Sequence, residues 1–258
     1  MQQPVSTLFD LSGRTALITG SSAGIGYALA GGLAAAGARV ILNGRNPLKL
    51  ERSVDRLRAD GARVEGAAFD VTAGAVVAQC VTRIEADIGP IDILVNNAGM
   101  QRRAPLERFE ETHWHELMRT NVDSVFLVGQ AVARHMIERR RGKIINICSV
   151  QSELGRPNIA PYTASKGAVK MLTKGMAIDW GQYGIQVNGL GPGYFKTELT
   201  EALVKDAEFT RWLLGRTPSR RWGEVQDLVG AAVFLASDAS NFVNGHILYV
   251  DGGVTATL

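Results

Sequence analysis

Cysteine is scarce: the chain holds two, Cys80 and Cys148, in 258 residues. One falls in a helical pattern and one in a strand pattern, and neither has metal-ligand spacing. Both therefore read as small buried apolar side chains in a reducing compartment. The four histidines are scattered, and His113 and His115 stand two apart on a predicted helix, where they face different ways. No metal site is expected. Charge of one sign is also lacking, with 28 Lys and Arg against 25 Asp and Glu. The densest basic cluster, residues 134–143, contains Glu138 and sits at a predicted helix end, where cations suit the helix dipole. That balance gives nucleic acid no docking stripe. Missing too are an uncharged apolar run of the roughly 18 residues a membrane span needs and a basic-then-apolar leader with a cleavage site. No membrane partner is expected, and the chain reads as cytoplasmic. No low-complexity linker divides it, so residues 1–258 are expected to form one domain.

Apolar residues make up 46% of the chain and glycines number 29, enough for a large core and many tight turns. Short apolar runs at 14–19, 38–43, 63–69, 91–96, 142–148, 185–190 and 246–251 read as buried strands. Helix-spaced apolar positions fill 24–36, 47–60, 73–88, 111–138, 160–181 and 224–237. That alternation predicts βαβ units: an α/β Rossmann-type, doubly wound parallel sheet of about seven strands flanked by helices. The longest interruption, 191–223, follows the sixth strand. Ligands bind at the carboxyl ends of such strands, so this excursion is expected to form a lid on the substrate side.

TGSSAGIG (19–26) joins the first strand to the first helix. Gly20, Gly24 and Gly26, with Ser22 and Ile25 between them, would let the backbone approach a pyrophosphate held by the helix N-terminus. The loop lacks the Lys-Ser/Thr of a P-loop, which disfavours triphosphate hydrolysis. At the end of the second strand, where an acidic residue would bind a ribose 2′-hydroxyl, stand Asn43, Gly44 and Arg45. Arg45 could instead pair with a 2′-phosphate, so NADP(H) is preferred and NAD(H) remains possible; a solvated arginine is the plain alternative.

TGSSAGIG, Asp70-Val71, NNAG (96–99), Asn121, Ser149, Tyr162-x-x-x-Lys166, Pro192-Gly193 with Thr197, and VDGG (250–253) come in this order and spacing. The set resembles the short-chain dehydrogenases/reductases along the whole chain. The resemblance implies hydride transfer to or from a nicotinamide dinucleotide and four catalytic residues: Asn121, Ser149, Tyr162 and Lys166. Tyr162 and Lys166 are four apart on a predicted helix and share a face. A free phenol titrates near pH 10, and an adjacent ammonium is expected to lower that, making Tyr162 the general acid/base. Ser149 would steady charge on the reacting oxygen. Lys166 would also hold the nicotinamide ribose, and Asn121 would position a water linking it to solvent. Asp70 and Val71 resemble the adenine contacts, Asn97, Ala98 and Gly99 the ribose side, and Pro192, Gly193 and Thr197 the cover over the nicotinamide. Asp70 could equally start the helix at 73–88, and Asn96 and Asn97 could simply finish a strand. Two departures are expected to matter: Ala23 replaces a basic residue common in NADP-using relatives, and Gly191 replaces a commoner alanine, which should loosen its loop. The resemblance also implies a homotetramer, paired through the helices at 111–138 and 160–181 and the C-terminal strand region.

NNAG runs on into Met100-Gln101-Arg102-Arg103, and Ser149 into Val150-Gln151-Ser152-Glu153-Leu154-Gly155-Arg156, neither a general feature of the family. These stretches resemble members that interconvert D-gluconate and 5-dehydro-D-gluconate. An arginine past the fourth strand could clamp the carboxylate of a sugar acid, but adjacent Arg102 and Arg103 should diverge, so only one is expected to do so. Gln151, Arg156 and Tyr194 are candidates for the hydroxyls and the rim. The alternatives are another ketone such as a 3-oxoacyl thioester, a different sugar acid or polyol, or a non-catalytic dinucleotide-binding protein.

Overall fold

Seven aliphatic runs become strands: β1 (Thr15–Ile18), β2 (Arg39–Gly44), β3 (Val64–Ala68), β4 (Ile93–Asn96), β5 (Gly142–Ile147), β6 (Ile185–Pro192) and β7 (Ile247–Val250). In this computed structural model, which describes residues 4–257, all pair in parallel in the order β3-β2-β1-β4-β5-β6-β7. Residues 1–3 and 258 of the expected domain lie outside the described residues. The sheet is covered by α1 (Gly24–Ala35), α2 (Pro47–Ala59), α3 (Gly74–Asp87), α4 (Glu111–Met118), α5 (Ser124–Arg139), α6 (Ala160–Trp180) and α9 (Val229–Ala236). Two short helices, α7 (Glu201–Lys205) and α8 (Ala207–Arg216), form an arm after β6.

Central strands show no polar alternation because both faces are covered. Along β1, Ala16 and Ile18 enter the core under α1, α2 and α9, while Leu17 enters the core under α3, α5 and α6. Registers Leu17↔Leu94 and Val95↔Ile145 stack the three middle strands. The chain leaves β1 toward β2 and β3, then crosses back to β4 beside β1. Diverging loops at the carboxyl ends of β1 and β4 therefore open a crevice at this switch point. Among the described residues no helix is long and apolar enough to cross a membrane.

Three expectations need correction. The helix expected over 111–138 carries a π-helical segment, Arg119–Asp123, between α4 and α5. Apolar spacing cannot register such an insertion, since the backbone stays helical through it while the ladder slips by one residue. The excursion expected from 191 starts later, because β6 runs through Pro192. Nor does Gly191 loosen anything: a Cβ there would meet Tyr249 Cδ1 at 2.5 Å, so the glycine makes room for that ring against the strand.

Lys143 is buried in β5, its Nζ donating to Ser240 Oγ at 3.2 Å. Burial lowers its pKa from 10.5 to about 8. Between those values the unfolded chain binds more protons, so the folded state gains stability as pH rises through that window. Lys143→Met removes this dependence. Urea titrations of both proteins should show the wild type gaining on the variant by on the order of 1–2 kcal/mol between about pH 8 and 10; a constant difference would contradict the assignment.

Candidate active site

The crevice is a cavity of about 430 Å³, a size suited to a small-molecule site. Its floor is the turn after β1. At Gly20 (φ +60°) an added Cβ would meet Ala98 Cα at 2.8 Å, and at Gly26 it would meet Asn97 Nδ2 at 2.4 Å. Those two glycines let the NNAG loop lie against the turn. Gly24 (φ +58°) has open space instead, and it begins α1 with no side-chain cap at Ala23. The first-turn amides are left for an anion from the cavity. The glycine cradle and the uncapped helix start fit a dinucleotide pyrophosphate.

Gly20, Ser22, Gly24, Ile25, Asn43, Arg45, Asp70, Val71, Asn97, Ala98, Gly99, Pro192, Gly193 and Thr197 all line the cavity. Gly26 is behind the turn, in a packing role. Asn43 is buried, its Nδ2 donating to the Ala67 and Phe69 carbonyls and its Oδ1 accepting from Gly20 N. It ties the turn to β3 and leaves the exposed Arg45 as the charged group at the end of β2. Asp70 does not cap α3, whose N-cap is Ala73; its Oδ1 accepts from the Thr72 amide and hydroxyl, which hold the carboxyl below the usual range. Asn97 Nδ2 donates to the Thr19 and Gly20 carbonyls in the turn after the neighbouring β1, which ties the two loops together.

At the other end stand Ser149, Tyr162 and Lys166, brought together by the turn after β5 and the first turns of α6. Ser149 Oγ accepts from the Gln151 amide at 3.1 Å. Lys166 is buried, its Nζ donating to the Ile147 carbonyl at 2.7 Å and lying 5.8 Å from the Tyr162 ring centroid. Burial lowers this lysine to about 8. Burial also pushes Tyr162 up to about 12, against the weaker downward pull of the Ser149 hydroxyl and Arg103. The expectation that Lys166 lowers the phenol is therefore not met in the chain by itself. Desolvation sets the direction, and Tyr162 holds its proton at neutral pH.

Asn121 lies in the π segment, 1% exposed, outside the cavity lining. Both its N–H groups are taken, by Met100 O and Ser165 Oγ, and its Oδ1 accepts from Met100 N. The side chain is a brace between the NNAG loop and α6.

Arg102 and Arg103 separate as adjacent side chains must. Arg102 turns outward to Glu116, with Nη2 to Oε2 at 2.7 Å, and does not line the cavity. Arg103 lines it, together with Gln151, Arg156 and Tyr194. Gln151 is buried, its Nε2 donating to Tyr194 Oη at 3.4 Å while its Oε1 has no partner among the described residues. Sequence reasoning missed Gln101, which lines the cavity and accepts from Arg103 Nη2 at 3.2 Å; it stands in the same Gln-Arg-Arg run and could have been read there. It also missed the arm's Leu203, which lines the cavity, and Phe209, whose ring lies against Arg156; neither carries a polar signal. Among the described residues no group of three or more His, Cys, Asp or Glu could hold a metal ion.

The family profile described as short chain dehydrogenase matches residues 14–208. The chain belongs to the short-chain dehydrogenase family. It is accordingly an oxidoreductase with a Rossmann-type fold. Gluconate 5-dehydrogenase of Gluconobacter oxydans is 64% identical, covering 97% of this chain and 98% of that protein. The 5-keto-D-gluconate 5-reductase of Escherichia coli is 56% identical, covering 97% of this chain and 98% of that protein. A crystal structure of a gluconate 5-dehydrogenase from Burkholderia cenocepacia, in complex with NADP and tartrate, is 60% identical with a TM-score of 0.97, covering 99% of this chain and 100% of that one.

Proposed function

We propose that this short-chain dehydrogenase interconverts D-gluconate and 5-dehydro-D-gluconate with NADP(H), accepting NAD(H) less well. The observation that carries the reading is a single cavity with Ser149, Tyr162 and Lys166 on one wall and Arg103, in no ion pair among the described residues, on another. A sugar acid offers a carboxylate to the second and a secondary alcohol to the first. The resemblance to relatives named for this reaction, one of them crystallised with NADP and the hydroxy acid tartrate, supports it.

Tyr162 gives its proton to the ketone oxygen in reduction and takes it back from the hydroxyl in oxidation. Ser149 hydrogen-bonds the same oxygen and steadies the charge on it. Lys166 holds a ribose hydroxyl, and Asn121 keeps α6 and the NNAG loop in register. The bound dinucleotide supplies or accepts the hydride. The backbone at Gly20, Ser22, Gly24 and Ile25 would hold its pyrophosphate, Asp70 and Val71 the adenine, Asn97 to Gly99 the ribose, and Pro192, Gly193 and Thr197 the nicotinamide side. Residues 193–223, with α7 and α8, form the lid that excludes water.

Arg45 would hold the 2′-phosphate. Arg45→Asp should shift the NADP/NAD preference toward NAD by about 10–100-fold in kcat/KM, since a charge-assisted contact is replaced by repulsion. Initial rates of D-gluconate oxidation with each cofactor test this together with the function. An unchanged preference would move the 2′-phosphate site elsewhere.

The same reading includes a homotetramer paired through α5 and α6. Its support is the apolar side chains these helices expose, Phe126 on α5 and Met171 and Ile178 on α6, the last 79% exposed. A monomeric mass by light scattering would contradict it. The two unpaired cysteines fit work in the cytoplasm.

A further inference from the structure

Arg103 has a second guanidinium for company. Arg156, from the loop between the Ser149 turn and α6, lines the same cavity. Burial and then the charge of Arg156 lower the proton affinity of Arg103, and both guanidinium groups act on the Tyr194 phenol, which lines the same cavity. Among the described residues neither arginine joins an ion pair, and Arg156 Nε is buried without a hydrogen-bond acceptor. Two like charges so placed repel, and an unpartnered buried donor is costly; one anion received between them relieves both.

Arg156 is held in place by an aromatic seat. Its guanidinium carbon lies 4.9 Å from the ring centroid of Phe209 on α8. That ring in turn packs against Trp212 at 5.3 Å, Tyr194 at 5.7 Å and Trp222 at 6.1 Å. A planar guanidinium stacked on such a seat keeps its charge and its donors while losing little freedom when an acceptor arrives. Arg102 is instead neutralised by Glu116.

We propose that Arg156, seated on Phe209, is the specificity-determining residue that makes this site choose a carboxylate over an uncharged terminus, with Phe209 as its positioning residue. The proposal rests on the sugar-acid reading above. Replacing the carboxylate of D-gluconate by CH2OH gives D-glucitol, whose C5 ketone is L-sorbose. The ratio of kcat/KM for 5-dehydro-D-gluconate to that for L-sorbose, measured with saturating NADPH, therefore isolates the charge.

Arg156→Gln should lower that ratio by about 10-fold or more, chiefly through KM for the acid, while the NADPH dissociation constant read by fluorescence stays within about twofold. Arg156→Lys should recover part of the ratio, because it restores charge without the stacked plane. Phe209→Leu should lower the ratio by a smaller factor and add nothing to Arg156→Gln in the double variant. A ratio unchanged in Arg156→Gln, or equal losses on acid and ketose, would overturn the proposal while leaving the sugar-acid reading standing. A wild type that reduces L-sorbose as well as the acid would overturn it also. A wild type inactive on 5-dehydro-D-gluconate would overturn both.

Discussion

Tyr162→Phe is expected to lower turnover in both directions by about 10²–10⁴-fold, the usual contribution of a positioned acid or base, with NADPH binding nearly unchanged. The phenol is held protonated by burial, near 12 in the chain alone, so it is ready to give a proton to a ketone. Oxidation needs that proton gone, so the oxidation rate should rise with pH through the neutral and alkaline range while reduction does not. The phenylalanine variant keeps the ring that faces Lys166 and loses only the hydroxyl, which separates chemistry from packing. Steady-state rates in each direction and a fluorescence titration with NADPH check this. Substantial residual activity with the same pH profile would remove Tyr162 from its role.

Arg103→Gln should raise KM for D-gluconate and 5-dehydro-D-gluconate by about 10–150-fold, the equivalent of the roughly 1.5–3 kcal/mol of a hydrogen bond to a charged group. The same change at Arg102 should do little, because that side chain faces outward in an exposed pair with Glu116, and such pairs contribute about 0–1 kcal/mol. Parallel kinetics on the two variants check the contrast. Equal effects at both positions would mean that the arginines act on the loop and not on the substrate.

That contrast marks where the sequence runs out. Gln-Arg-Arg announces charge after the fourth strand, but adjacent residues diverge, and only the partner Glu116 on α4 decides which one leaves the cavity. Strands such as Thr15–Ile18 and Ile93–Asn96 were legible because burial on both faces leaves a nearly continuous aliphatic run instead of an alternating one. The π segment around Asn121 was not, since one inserted residue leaves apolar spacing almost intact. The Tyr162 and Lys166 pair is plain from a four-residue spacing on a helix. The direction of the tyrosine pKa is not, because it depends on how deeply the phenol is desolvated. Gly191 and Tyr249 lie on neighbouring strands, and that fit appears only once β6 and β7 are paired. The aromatic seat of Arg156 draws on residues from α8 and the segments around it, each of which reads alone as ordinary apolar surface.

The central claim is that proton transfer at Tyr162, coupled to hydride exchange with a nicotinamide dinucleotide, is combined with recognition of a sugar acid in one cavity. The most direct test is the initial rate of 5-dehydro-D-gluconate reduction by NADPH, with NADH and an acetoacetyl thioester as comparisons and Arg103→Gln alongside. Fast NADPH-linked reduction of the acid, lost in the variant and absent on the thioester, is the predicted result. Preference for the thioester with indifference to Arg103 would contradict the account, leaving the fold and the catalytic tyrosine but assigning the site to another ketone.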